Sequence, residues 1–179
     1  MKFTHSALPL LFLASLGCAA EKSDTSEEPD QSDIVEYYEA HSEGLYRGTE
    51  AFSSHMAGRR TLQPSTSTIA ETFIDLTDGD THHVNADVNL EDGTFTLTID
   101  YEEGSYEGTG ALYGEAWDWH AWESTSVAPD GTSVVSEDTK DENGIVANKT
   151  GYTAEGEEEW SLVETLTPIT EAEWLALQE

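Results

Sequence analysis

Between Val84 and Tyr101 apolar and polar residues alternate with a period of two. Val84, Ala86, Val88 and Leu90 fall on one face, and His83, Asn85, Asp87 and Asn89 on the other. After Asp92-Gly93 the alternation resumes, with Phe95, Leu97, Ile99 and Tyr101 against Thr94, Thr96, Thr98 and Asp100. Side chains of a strand point alternately to its two faces, so this pattern predicts two half-buried strands. A two-residue Asp-Gly turn joins them and sets Leu90 opposite Phe95, Val88 opposite Leu97, Ala86 opposite Ile99 and Val84 opposite Tyr101. A second turn at Glu103-Gly104 sets Tyr101 against Tyr106 and Ile99 against Gly108.

The following stretch, Gly104 to Val127, holds three of the five tryptophans and four of the fourteen glycines. A hairpin turning at Tyr113-Gly114 would place Gly110 opposite Trp117 and Gly108 opposite Trp119, each indole covering a residue without a side chain. In that alternation Trp117, Trp119 and Ala121 share one face, and Asp118, His120 and Trp122 the other. Tyr106, Trp117 and Trp119 then form one inner wall.

The same reading carries to the flanks. Asp33-Ile-Val-Glu36 has the form of a capping box, with Ile34, Tyr37, Tyr38 and His41 on one helical face, and predicts a short helix to about Ser42. A strand from Leu45 to about Ser54 and an irregular segment from His55 to Pro64 follow. Ser65 to Thr77 reads as a strand ended by Asp78-Gly79. Turns at Ala128-Pro-Asp-Gly131, Asn143-Gly144 and Glu155-Gly156 delimit strands near 132–140, 145–154 and 157–166, and Pro168 stops the last. Thr170-Glu-Ala-Glu173 is a capping box that opens a final helix with Trp174 and Leu177 on its buried side.

About nine strands linked by tight turns, with no crossover helix, give an all-β antiparallel up-and-down meander. Long twisted strands of this number curl and close, which removes exposed edges, so the prediction is a barrel of about eight to ten strands with short N- and C-terminal helices. In outline it resembles the lipocalin and fatty-acid-binding barrels. Gly44-Leu-Tyr46 stands where the lipocalin Gly-x-Trp signature belongs, so no binding residue is carried over.

Charge narrows the choice of partners. Seven basic residues face 37 acidic ones, for a formal net charge of -30. Such a surface repels nucleic-acid phosphates and anionic headgroups, and suits a saline or divalent-rich medium. The single cysteine, Cys18, excludes an internal disulfide. It closes a segment with a weakly basic start, an apolar run from Ala7 to Leu16 and a small-residue region Ser15-Leu-Gly-Cys18, which reads as a secretory leader. The run is too short for a span, which needs about 20 residues.

Leu16-Gly17-Cys18 resembles the lipobox of bacterial lipoproteins, with Ser15 where the family most often has leucine. The resemblance implies cleavage before Cys18, acylation of that cysteine and its new amino terminus, and, with Ala19 next, outer-membrane sorting toward the periplasm or the cell surface. The expected organisation is a signal peptide over 1–17, an acidic tether over 18–33 and one barrel domain over 34–179. The tether is almost free of apolar side chains, as a solvated coil requires.

Candidate chemistry is sparse. The sequence holds no Gly-x-Ser-x-Gly elbow, no Gly-Lys-Ser/Thr phosphate loop and no His-Glu-x-x-His. His82 and His83 are adjacent on a strand and point to opposite faces, His55 is read in a loop, and Asp118 with His120 makes at most a metal half-site. Asp75 to Asp80 lacks the spacing of a calcium loop and reads as a turn. Glu71 and Glu123 lie among apolar residues as candidate partly buried acids, and Arg59-Arg60 as candidates to neutralise acids or meet an anionic ligand. No cofactor, metal or catalytic residue is assigned. The expected function is a lipid-anchored envelope protein whose barrel binds a small apolar or amphipathic ligand on Tyr106, Trp117 and Trp119; the alternative is a non-enzymatic assembly module with a solid core.

Overall fold

The computed structural model describes residues 32–102, 104–115 and 117–179. Ten strands run in order: β1 (Ile34–Tyr46), β2 (Glu50–Gln63), β3 (Thr68–Asp75), β4 (Thr81–Val88), β5 (Thr94–Tyr101), β6 (Gly104–Glu115), β7 (Asp118–Val127), β8 (Ser133–Asp141), β9 (Gly144–Tyr152) and β10 (Glu158–Ile169). Each pairs antiparallel with its neighbours in sequence, and β1 pairs with β10 from Tyr37↔Ile169 to Tyr46↔Trp160, so the meander closes. Every strand therefore has both backbone edges paired.

The predicted N-terminal helix is not formed; its residues are the first half of β1. Read with period two, β1 turns Glu36, Tyr38, Ala40 and Ser42 inward, and Tyr38, Ala40 and Ser42 are buried. Two of those four are polar, so the inward face does not stand out as apolar. The segment read as irregular from His55 to Pro64 is most of β2, whose inward residues Met56, Gly58, Arg60 and Leu62 hide the alternation in the same way. The C-terminal helix α1 (Glu171–Ala176) has the expected capping box: the Thr170 hydroxyl accepts from the Glu173 N–H, and the Glu173 carboxylate accepts from the Thr170 N–H. Trp174 sits over Tyr37, ring centroids 5.4 Å apart, on the outside of the barrel.

Three hairpins form with registers other than those predicted. At Asp92-Gly93 the pairs are Val88↔Phe95, Ala86↔Leu97 and Val84↔Ile99, two residues off, because side chains of Asn89 and Asp92 accept backbone N–H groups of Glu91 and Thr94 and widen the turn. At Glu103-Gly104 the pairs Ile99↔Tyr106 and Leu97↔Gly108 are likewise shifted by two. A shift by an even number leaves every side chain on its predicted face. At the tryptophan hairpin the shift is odd. The pairs are Gly108↔Ser126, Gly110↔Ser124 and Leu112↔Trp122, then Gly114↔Trp119 beyond a bulge in which His120 is the extra residue. Gly114 takes φ +122 there, a conformation that favours glycine. The bulge breaks the alternation, so Trp119 and Trp122, three apart, both point inward and are buried.

Aromatic cover of glycines is real but uses other partners. The Phe95 ring lies where a Cβ on Gly110 would stand, and the Trp160 indole where a Cβ on Gly151 would stand. Gly151 is the cross-strand partner of Trp160.

The barrel has a plugged end and an open end. At the plugged end Leu62, Ile69, Val88, Phe95, Leu112, Trp119, Trp122, Ile145 and Leu166 form the core, with Phe95 and Trp122 centroids 4.2 Å apart. The outward wall carries Glu39, His41 and Glu43 on β1, His83, Asn85 and Asp87 on β4, Glu107 and Thr109 on β6, and Glu123 and Thr125 on β7, with exposed apolar residues such as Val35, Leu45, Val146 and Val163 between them. Among the described residues no helix is long and apolar enough to cross a membrane.

Candidate functional site

The inward positions of β1, β2, β3, β8, β9 and β10 carry charge, and this distinguishes the barrel interior. Cross-strand neighbours Glu36↔Arg60 and Arg60↔Glu71 set an acid-base-acid row across three adjacent strands. The Arg60 guanidinium donates to Glu71 Oε1 and lies 3.8 Å from Glu36 Oε2, with its centre 5.5 Å from the Tyr38 ring and 5.2 Å from the Trp119 ring. Lys140 Nζ reaches Glu36 Oε1 at 2.9 Å, and the Tyr38 hydroxyl donates to Glu36 Oε2 at 2.7 Å. Burial pushes the Tyr38 phenol well above its ordinary range and would raise Glu36 as well, but Tyr38, Lys140 and Arg60 together hold the Glu36 carboxyl below its usual range. This network is the floor of the interior.

Above it lies a cavity of about 280 Å³. Its lining combines apolar Phe73, Leu97, Ile99, Trp122, Trp160 and Leu162 with polar Arg60, Glu71, Asp138, Lys149 and Glu164 and with Ser42, Ser124, Ser126 and Ser136. Lys149 Nζ bonds Glu164 Oε2 at 2.5 Å, and Ser42 Oγ donates to Glu164 Oε1 at 3.1 Å. Burial alone would raise Glu164, but Lys149 and Ser42 hold it below the usual carboxylate range. Asp138 differs. Among the described residues it makes no ion pair, its hydrogen bond comes from Ser136 Oγ at 2.5 Å, and burial pushes its carboxyl up to about 6 against the pull of Lys149. Two cations, Arg60 and Lys149, thus face three carboxylates, Glu71, Asp138 and Glu164, around one cavity.

The cavity opens past a ring of aromatics. Phe73 stacks on His82 at 5.0 Å, His82 on Tyr101 at 5.3 Å, and Tyr101 meets Tyr106 edge-on at 5.9 Å, a ladder of rings across four strands. Burial and the nearby Lys149 pull His82 down to about 4, so it stands neutral at pH 7. Beyond it the mouth is lined by Asp75, Asp78, Asp80, Glu102 and Asp130. Several of these acids have a local cause. Asp75, Asp78 and Asp130 each accept the N–H two residues on, from Thr77 at 2.7 Å, Asp80 at 3.1 Å and Thr132 at 3.0 Å, and so close their turns.

The three wall residues expected from sequence do not meet. Tyr106 lies at the mouth, its hydroxyl 3.4 Å from Thr132 Oγ1. Trp117 is in the β6–β7 turn, packed against the core at the other end. Trp119 is wholly buried beneath Arg60. The indoles that border the cavity are Trp122 and Trp160. Glu71 is buried as expected, whereas Glu123 is exposed and accepts from the Tyr113 hydroxyl. Cys18, the leader and the tether lie outside the described residues up to residue 31. No protein-family model matches the chain, and no curated protein shows significant similarity to it. Fold and interior therefore define it by themselves, as a closed ten-stranded up-and-down barrel with an ion-paired, part-aromatic cavity.

Proposed function

We propose that the barrel is a binding protein for a small amphipathic molecule with an apolar or aromatic body and a cationic or strong hydrogen-bond-donor head. The observation that carries this is Asp138: a half-buried carboxylate on an open cavity, beside Trp122 and among aromatic and aliphatic side chains, with no cation paired to it among the described residues. A bound ammonium would balance the charges facing the cavity and supply the partner that a buried carboxylate requires. The acidic mouth concentrates cations ahead of binding, and the ring ladder at the throat gives them favourable faces. At about 280 Å³ the space lies just below the roughly 300 Å³ at which ordinary small-molecule pockets begin, so the ligand is compact rather than a long acyl chain.

Trp122 and Trp160 make binding visible as a change in indole emission. Titration with 2-phenylethylamine, 3-phenylpropanol and 3-phenylpropionate separates the classes. The amine is expected to bind most tightly, and Asp138→Asn to weaken it by about tenfold or more. Preference for the propionate would reverse the charge assignment. No response to any probe, together with no small molecule seen by native mass spectrometry of the purified protein, would favour the assembly module instead.

The same proposal places the domain in the cell envelope, held by a lipid on Cys18. Its support is the lipobox-like Leu16-Gly17-Cys18 and the acidic polar segment that follows. Cys18→Ala is expected to move the protein out of the membrane fraction, and retention there would remove the anchor.

A further inference from the structure

We propose a transition-metal site on the outer wall of the barrel, formed by Glu39, His41 and His55 and suited to zinc(II) or copper(II). His41 and His55 are direct cross-strand partners on β1 and β2, and Glu39, two residues before His41, shares their outward face. The two imidazoles are stacked, centroids 4.2 Å apart and planes 14° apart. Both turn Nε2 toward one oxygen: Glu39 Oε1 is 2.8 Å from His55 Nε2 and 3.5 Å from His41 Nε2. All three donor atoms lie within 4.8 Å of one another.

Those separations are close to what an ion needs. Zinc bonds of about 2.0–2.1 Å in a tetrahedron place ligand atoms about 3.3–3.4 Å apart, so one contact already fits and the other must open by roughly half an ångström. The stacked rings hold their lone pairs nearly parallel, so both imidazoles must swing out of the stack about their side-chain torsions, which half-exposed positions allow, for the two Nε2 atoms to meet one ion. The ion then takes the place of the proton shared between His55 and Glu39. The carriers are rigid, because β1 and β2 pair along the full length from Ile34↔Leu62 to Tyr46↔Glu50. Two imidazoles and one carboxylate suit zinc(II) and copper(II), with copper the tighter by the usual order, and supply too few oxygens for calcium or magnesium. Three protein ligands leave a coordination position for water or a partner's side chain.

The test uses the full-length protein in detergent, stripped with a chelator and titrated with zinc chloride by calorimetry and with copper(II) by electron paramagnetic resonance. The expected result is a single site with nitrogen hyperfine structure in the copper signal. His41→Ala and His55→Ala should each weaken it by at least about tenfold, with Glu39→Gln weaker in effect. His83→Ala and His120→Ala should leave it unchanged. Binding that survives loss of both His41 and His55, or that calcium chloride displaces at equal concentration, would assign the ions to the acidic surface and overturn the site. Absence of zinc and copper binding above the level of the double variant would overturn it equally.

Discussion

Glu71→Gln is expected to cost about 3–5 kcal/mol of stability, because it leaves Arg60 buried without its main counter-charge. Arg60 is 4% exposed and Glu71 9%, and the guanidinium packs against the Tyr38 and Trp119 rings, so few positions are left from which water can replace the lost carboxylate. Burial works against the Arg60 charge, and Glu71, ahead of Tyr38 and Glu36, holds it in place. Glu36 stands 3.8 Å from Nη1, which has no hydrogen-bond partner among the described residues, and is already held by Tyr38 and Lys140, so it does not take over the role. Arg60→Met combined with Glu71→Leu removes both charges and is expected to recover most of the loss, since an apolar pair of similar volume is often no worse than a buried ion pair. Urea unfolding with an unchanged slope reads both effects. A loss below about 1 kcal/mol in Glu71→Gln would mean that water or Glu36 reaches the guanidinium after all.

The second large effect is in pH dependence, where Asp138 and His82 pull in opposite directions over one window. Burial raises Asp138 from 3.8 to about 6. Between those values the folded protein keeps a proton that the unfolded chain has released, so stability falls as pH rises and the loss is complete above about 6. Burial lowers His82 from 6.5 to about 4. In that interval the unfolded chain holds the extra proton, so stability rises with pH and the gain is complete above about 6.5. Each contribution is at most about 3 kcal/mol, since both side chains border a cavity that water can soften. In the wild type the two largely cancel. Asp138→Asn should therefore gain stability relative to wild type as pH climbs from 4 to about 6, and His82→Gln should lose it over 4 to about 6.5. Urea midpoints across that range decide the matter, and variant profiles parallel to the wild type would show that neither group is desolvated as described.

Sequence periodicity reached the sheet and stopped short of the cavity, for one physical reason. Where the inward face is apolar, as in Val84, Ala86, Val88 with Phe95, Leu97, Ile99, alternation reveals strand and face together, and an error of two in register does no harm. Where the inward face holds Glu36, Ser42, Arg60, Glu71, Asp138, Lys149 and Glu164, the same alternation looks polar on both sides. That is why β1 reads as a helix and β2 as a loop. The charged cavity was thus hidden by the residues that make it, although three of the seven basic residues turned inward is a feature that pairing of β1 with β2 and of β8 with β9 would have exposed. The bulge at His120 is equally invisible to strict alternation, and it is what puts Trp119 and Trp122 on one side. His41 and His55 meet only through the β1–β2 register, so no spacing rule finds them.

The chain enters the barrel at Ile34, beside Leu62 and Ile69, and its last strand ends there too, whereas the Asp75, Asp80, Glu102 and Asp130 rim crowns the opposite pole. Anything that grips the protein through residues ahead of Ile34 holds it by its foot. A lipid on Cys18 would moor the vessel by that end through a pliant leash and leave the brim clear of the mooring, open to arriving solutes.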